Sequence, residues 1–294
     1  CNFQQFIQSI EALNKVSYLD VVFAESVGSC TDLVATIIKP LQKFYENIDI
    51  VLSVFADIRL LSAYLMMNKD IFHGKMNYVY EKQLEEADII VVNKIDMLNE
   101  EKTQTAKDFI RKENWTQKVL YQNSLDSSDI RRWLTIVNHV DISGLRKSLD
   151  LNYDDYALGE AEMCWYDNEV EIISQNGSAV KVCYELAHSI YDKIKEHNFI
   201  IGHLKFLISD EVHHVKVSFT TIPSDENYDF SPFGDTNRAT ILINGRIKAN
   251  PEAIIKIISN ALTDIQSDET CSVKEKHPKV FNPAYPKPTY RITS

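Results

Sequence analysis

Apolar residues recur along the first half of the chain in two alternating rhythms. Short continuous runs occur at Leu19–Ala24 (LDVVFA), Ile50–Ala56 (IVLSVFA), Asp88–Val92 (DIIVV) and Lys118–Tyr121 (KVLY), each bounded by polar residues. That is the pattern of buried strands. Helical spacing fills the intervals: Phe3 to Leu13, Leu33–Tyr45, a stretch from about Leu60, Val79–Glu86, Glu101–Lys112 and Ile130–Asn138. Thr31 or Asp32 is the candidate N-cap of the second of these. Strands alternating with helices build βαβ units around a parallel sheet, so residues 1–150 are expected to form an α/β domain.

Beyond Leu151 the rhythm changes. Gly159–Ile173 contains a strand, and Ser178–His197 reads as a long helix with Val180, Ala187, Ile190 and Ile194 on one side. Strands are expected at Ile200–Ser209, His214–Thr221 and Ala239–Ala249, and Pro251 opens a last helix to about Ile265. This order predicts a smaller α+β domain over 151–266, its antiparallel sheet covered by helices on one face. From 267 to 294 the chain carries Pro278, Pro283, Pro286 and Pro288 among five basic residues, which predicts a basic, extended tail. Asp154 and Asp155 read as a solvated linker.

The 294 residues, 45% hydrophobic and 25% charged, have the profile of a soluble globular chain of about two domains. With 31 Lys plus Arg against 42 Asp plus Glu, the net charge of −11 argues against a nucleic-acid binder, which needs a clustered basic face. No apolar run approaches the ~18 residues of a membrane span, so no membrane partner is expected. Five cysteines, odd in number and scattered, give no disulfide framework and point to a reducing cytoplasm. The chain opens on Cys1 rather than Met, and the reading preferred is a piece of a longer protein over one with a cleaved leader.

The most specific chemistry is Asn93-Lys94-Ile95-Asp96, at the exit of the DIIVV run. Guanine presents N1–H and an exocyclic amine side by side, and one carboxylate, that of Asp96, accepts both. Adenine lacks the pair and would leave the carboxylate unpartnered. Lys94 can lay its aliphatic stem along the base, and Asn93 can tie loops around it. A second signal, Glu25-Ser26-Val27-Gly28, again follows an apolar run. Its acid suits a magnesium-bound water, and its glycine lets a bare backbone N–H approach a terminal phosphate. Gln122-Asn123-Ser124-Leu125 offers a backbone N–H for the guanine oxygen near Ser124, although an ordinary strand-to-helix turn explains it equally well. Asp57 reads as structural. Cys30 either relays nucleotide state to a metal or is a small buried apolar residue. His213 with His214, His203 with Lys205, and Cys183 with His188 are better explained as core or surface residues than as ligands.

Taken together, Cys1-Asn2-Phe3, LDVVFAESVGSCTD (19–32), QLEEADIIVVNKIDML (83–98) and NSLDSSDIRRWL (123–134) resemble the CobW-type metal-handling P-loop GTPases, relatives of the hydrogenase- and urease-maturation GTPases. The resemblance covers about residues 1–140. It implies a P-loop-NTPase-like sheet truncated at its N-terminus, with GTP and Mg²⁺ as cofactors and a divalent metal (zinc, cobalt or similar) as cargo. It also implies a client metalloenzyme or cofactor-dependent enzyme as partner, and leaves self-association open. Cys1 looks like the last cysteine of the family's C-x-C-C metal motif. The G-x-x-x-x-G-K-[ST] loop is not found in these residues, so the chain by itself is expected to be inactive. The competing expectation is a non-catalytic interaction module with a vestigial guanine site, docking a client through its second domain and tail.

In P-loop folds the first strand lies inside the parallel sheet, and a piece without it exposes unpaired backbone groups. The piece is therefore expected to be less stable than its parent, or to pair with another chain. A thermal melt in which both unfold at the same temperature would overturn this.

Overall fold

The computed structural model describes residues 3–16, 19–45, 48–140, 146–223, 228–267 and 269–293. They form two compact units: Cys1–Gly159 with Tyr285–Ser294, and Glu160–Ala284.

The first unit begins with α1 (Phe3–Val16). A π-helical turn at Val34–Ile38 then runs into α2 (Lys39–Phe44). Then β1 (Ser53–Asp57), α3 (Ile58–Met66), α4 (Lys75–Glu86), β2 (Ile89–Asn93), α5 (Glu100–Lys112), β3 (Lys118–Gln122) and α6 (Ser127–His139) alternate, followed by α7 (Tyr153–Ala161). The strands pair in parallel in the order β1-β2-β3, with Asp57, Asn93 and Gln122 in register at their C-terminal ends. The central strand is buried along Ile89–Val92, as expected of a strand covered on both faces. Ile89 and Val91 pack with Leu120 against Trp133, Ile136 and Val137 of α6. Asp88 lies just before β2 rather than in it. Its carboxylate accepts the Leu52 N–H at 2.7 Å and Arg146 at 2.6 Å, pinning the starts of β1 and β2 together. Asp154 and Asp155 are not a linker: they form the first turn of α7, with Lys75 at 2.6 Å from Asp155 and the Tyr285 hydroxyl donating to Asp154 at 3.1 Å.

The run Leu19–Ala24 is not a strand. It belongs to no sheet among the described residues, and Val21 and Phe23 are 64% and 67% exposed. An apolar run becomes a strand only beside a partner that takes its backbone hydrogen bonds. Neither β1 nor β3 pairs with it. Its one aromatic packs on α6, the Phe23 ring lying 5.9 Å from that of Trp133, which also meets Phe55 at 5.4 Å.

The second unit holds β4 (Cys164–Ser174), α8 (Ala179–Glu196), β5 (Ile201–Ser209), β6 (His214–Phe219), β7 (Arg238–Ile247), α9 (Pro251–Gln266), β8 (Cys271–Glu275) and β9 (Lys279–Phe281). The sheet is antiparallel in the order β6-β5-β7-β4-β8, with β9 also on β4. Alternate residues of β4, β5 and β7 face the same core as α8 and α9, the α+β arrangement expected. The expected tail, 267–294, is divided. Residues 271–281 supply two strands of this sheet, while 285–294 return to the first unit, where Ile292 N donates to Ala35 O at 2.9 Å and Arg291 pairs with Asp32 at 2.8 Å. Among the described residues no helix is long and apolar enough to cross a membrane.

The entry to the π-helical turn is capped from a distance. Neither Thr31 nor Asp32 caps it. Glu86, at the end of α4, accepts the Val34 N–H at 2.6 Å and the Thr31 hydroxyl at 3.4 Å. Asp32, with φ of 63°, turns its carboxylate to the Tyr153 hydroxyl at 2.6 Å and to Arg291. Burial pushes the Glu86 carboxyl up to about 7; the Asp32 charge adds to this, and hydrogen bonds from the Val34 and Leu33 amides and Thr31 oppose it. A carboxyl raised in the folded state stabilises fully below its unfolded value of about 4.5 and loses that contribution as pH rises through 7. Stability is expected to fall on the order of 3 kcal/mol between about pH 5 and 8. In Glu86→Gln the slope should flatten over that window, as read by urea unfolding at each pH.

Candidate functional site

Parallel strands place their C-terminal ends on one edge of a sheet, and ligands of open α/β sheets bind outside that edge. Here the edge carries Asp57, Asn93 and Gln122 side by side. Each strand exits into a loop that its own residues organise. After β1, Asp57 caps α3 by accepting the Arg59 N–H at 2.9 Å, and holds the Arg59 guanidinium at 3.0 and 2.7 Å. After β3, Asp126 caps α6 through the Ser128 amide at 2.7 Å.

The Asn93-Lys94-Ile95-Asp96 segment turns sharply after β2. Lys94 adopts the left-handed conformation (φ 61°, ψ 38°) and opens a 3₁₀ turn at Ile95–Met97. A non-glycine residue there costs roughly 1 kcal/mol, the sort of strain that clusters at ligand loops. The Lys94 ammonium lies 3.4 Å from Asp57. Burial raises the Asp57 carboxyl, but Arg59 and Lys94 outweigh it and hold the group below the usual range. Asp57 is thus structural, as expected, and also anchors the lysine of the motif. Asp96 is exposed and its carboxylate has no partner among the described residues, so both oxygens remain open to a pair of donors.

Asn93 ties the second loop to the third. Its Oδ1 accepts the Ser124 N–H at 3.0 Å and the Ser124 hydroxyl at 2.8 Å, and Gln122 Nε2 donates to the same hydroxyl oxygen at 2.9 Å. The Ser124 amide expected to face the guanine oxygen is therefore used within the site. The amides of Asn123 and Leu125 are used too, donated to Asp129 at 2.7 Å and to the Asn123 side chain at 2.9 Å. Ser124 acts as a tie between loops rather than as a free donor.

Glu25 and Gly28 lie in an exposed loop. The Glu25 carboxylate has no partner among the described residues, and a Cβ placed on Gly28 would meet nothing within 4 Å, so the loop leaves its backbone open to approach. Gln83, which the sequence did not single out, reaches this loop from α4: its Nε2 donates to Gly28 O and Cys30 O, each at 2.9 Å. No group of three His, Cys, Asp or Glu side chains is placed to hold a metal ion among the described residues. Cys30 is half-buried and Cys1 lies outside the described residues. Of the remaining candidates, His214 is exposed, while Cys183, His203 and His213 are packed or paired. Burial pushes the Cys183 thiol up to about 12, and His203, its ring nitrogen 2.9 Å from Asn244 Oδ1, is lowered to about 4, chiefly by burial. His213 lies 3.6 Å from Asp210.

Among curated proteins none matches the chain. Solved structures align with it only loosely. The Zn(II)-bound YjiA GTPase from E. coli is 12% identical over 78% of this chain and 67% of its own, with a TM-score of 0.25. AtUAH in complex with (S)-hydroxyglycine is 14% identical over 41% of this chain, with a TM-score of 0.26; the chain covers 27% of that protein. Likeness at this level carries no functional argument. A family model does: the one described as CobW/HypB/UreG, nucleotide-binding domain, matches residues 1–120, the stretch that holds the Glu25–Gly28 loop, Gln83 and the Asn93–Asp96 turn. Residues 1–120 are thus similar to the nucleotide-binding domain of CobW/HypB/UreG proteins.

Proposed function

We propose that this chain binds GTP and belongs to a cytoplasmic protein that uses nucleotide state to control delivery of a divalent metal or a metal-bearing cofactor to a client enzyme. The observation that carries the guanine reading is the open Asp96 carboxylate at the C-terminal edge of a parallel sheet, in a segment that matches a nucleotide-binding family.

In this reading Asp96 accepts guanine N1–H and the 2-amino group together. Asn93 and Ser124 brace the two loops on either side of the base, and the Lys94 stem covers its face while Asp57 holds the ammonium. At the phosphate end Glu25 contacts a magnesium-bound water and the Gly28 N–H meets the terminal phosphate. Magnesium supplies charge neutralisation between phosphate oxygens when bound. The sequence contains no G-x-x-x-x-G-K-[ST] motif, so the lysine and backbone nest that grip β- and γ-phosphates elsewhere are not supplied by these residues. GTP hydrolysis is accordingly proposed for the parent protein. Cys1 and Cys30 are proposed as thiols of the metal path, zinc and cobalt being the ions that such donors suit.

Competition of unlabelled nucleotides against a fluorescent guanine nucleotide tests the carrying observation. Wild-type chain should favour GTP over ATP by about 100-fold, which is about 2.7 kcal/mol. Asp96→Ala should bring the two within a few-fold. Asp96→Asn should transfer the preference to xanthosine triphosphate, whose 2-carbonyl accepts from the new amide. Equal affinity of the wild type for GTP and ATP would overturn the reading.

A further inference from the structure

Residues 25–34 carry Glu25, Gly28 and Cys30, yet the exposed part of this loop is shaped locally by a single tight turn, in which Cys30 N donates to Val27 O at 2.8 Å. Glu25 to Gly28 are exposed. Gly28, Cys30 and Val34 are held from the last turn of α4, while Thr31 and Asp32 are also met by Tyr156, Tyr153 and Arg291. Gln83 presents its side-chain amide to the carbonyls of Gly28 and Cys30, and three residues on, Glu86 presents its carboxylate to the Val34 N–H and the Thr31 hydroxyl. Residues three apart lie on one helix face, so a donor and an acceptor are offered together to successive parts of one loop. The match is complementary: carbonyls meet N–H groups, and an N–H meets a carboxylate. From Glu86 the chain passes through Ala87 and Asp88 directly into β2, which ends at Asn93.

We infer that Gln83 is a positioning residue for the phosphate-side loop, fixing the Gly28 and Cys30 backbone from α4, with Glu86 anchoring the loop's far end. The helix that grips the loop facing phosphate is thereby continuous with the strand that ends at the loop facing the base. A change of backbone at Gly28 must stretch or release the Gln83 hydrogen bond to its carbonyl, and α4 registers it. The ligand named here rests on the guanine reading; the clamp itself is a property of the chain alone.

Hydrogen exchange on the 294-residue chain reads the clamp directly. In Gln83→Ala and in Gln83→Glu the Cys30 amide, donated to Val27 O in the turn that Gln83 clamps, should exchange about tenfold faster than in the wild type, with the amides of β2 and α5 unchanged. Gln83→Glu keeps the volume and loses the N–H donors, so wild-type protection in that variant overturns the clamp, as does unchanged protection in Gln83→Ala. Calorimetry with GTP and with guanosine, which lacks phosphates, then separates positioning from general support. Both variants should weaken GTP about fivefold or more and guanosine less than about twofold. Equal losses for the two ligands overturn the positioning role. A wild-type chain that binds neither ligand removes the guanine reading, and exchange still decides the clamp.

Discussion

A parallel strand cannot turn back on its neighbour through a tight hairpin, so each strand of the first unit must be followed by a crossover helix, and the chain leaves the sheet at the same edge every time. That single restriction places Asp57, Asn93 and Gln122 in one row. The rest of the site follows from what these exits do next. Asp57 starts α3, Asn93 enters a left-handed turn, and Gln122 leads to the serine that Asn93 holds. The Asp57 and Gln122 contacts are local, but Asn93 and Ser124, 31 residues apart, meet only because the sheet brings them together.

The same restriction explains what could be read from the sequence. Ile50–Ala56, Asp88–Val92 and Lys118–Tyr121 were legible as strands because burial on both faces demands continuous apolar runs, and the observed strands agree to within three residues at each end. The Asn93–Asp96 segment was expected at a strand exit, and it lies there, at the end of β2. Leu19–Ala24 shows the limit. Its composition matches the other runs, but composition records only that a segment prefers burial, whereas a ladder needs a neighbour. The opposite failure occurs at 271–281, where prolines and lysines nearby disguise two strands that lie on β4.

The contacts that escaped notice are those spanning long stretches of chain. Glu86 caps a turn 52 residues earlier, Gln83 reaches back 55 residues to Gly28, and Arg291 meets Asp32 from 259 residues away. A local rule nominated Thr31 or Asp32 as the cap, and the nearby carboxylate of Glu86 displaced both. Such pairs leave no periodicity to detect. Only the folded backbone, by bringing the end of α4 against the loop before α2, makes them visible.

Lys94 holds a left-handed backbone one residue past the end of β2. The conformational cost of the turn that leaves Asp96 exposed is therefore met in the fold itself. In the proposed reading, a site built on such a turn captures its base at a rate limited by encounter rather than by rearrangement.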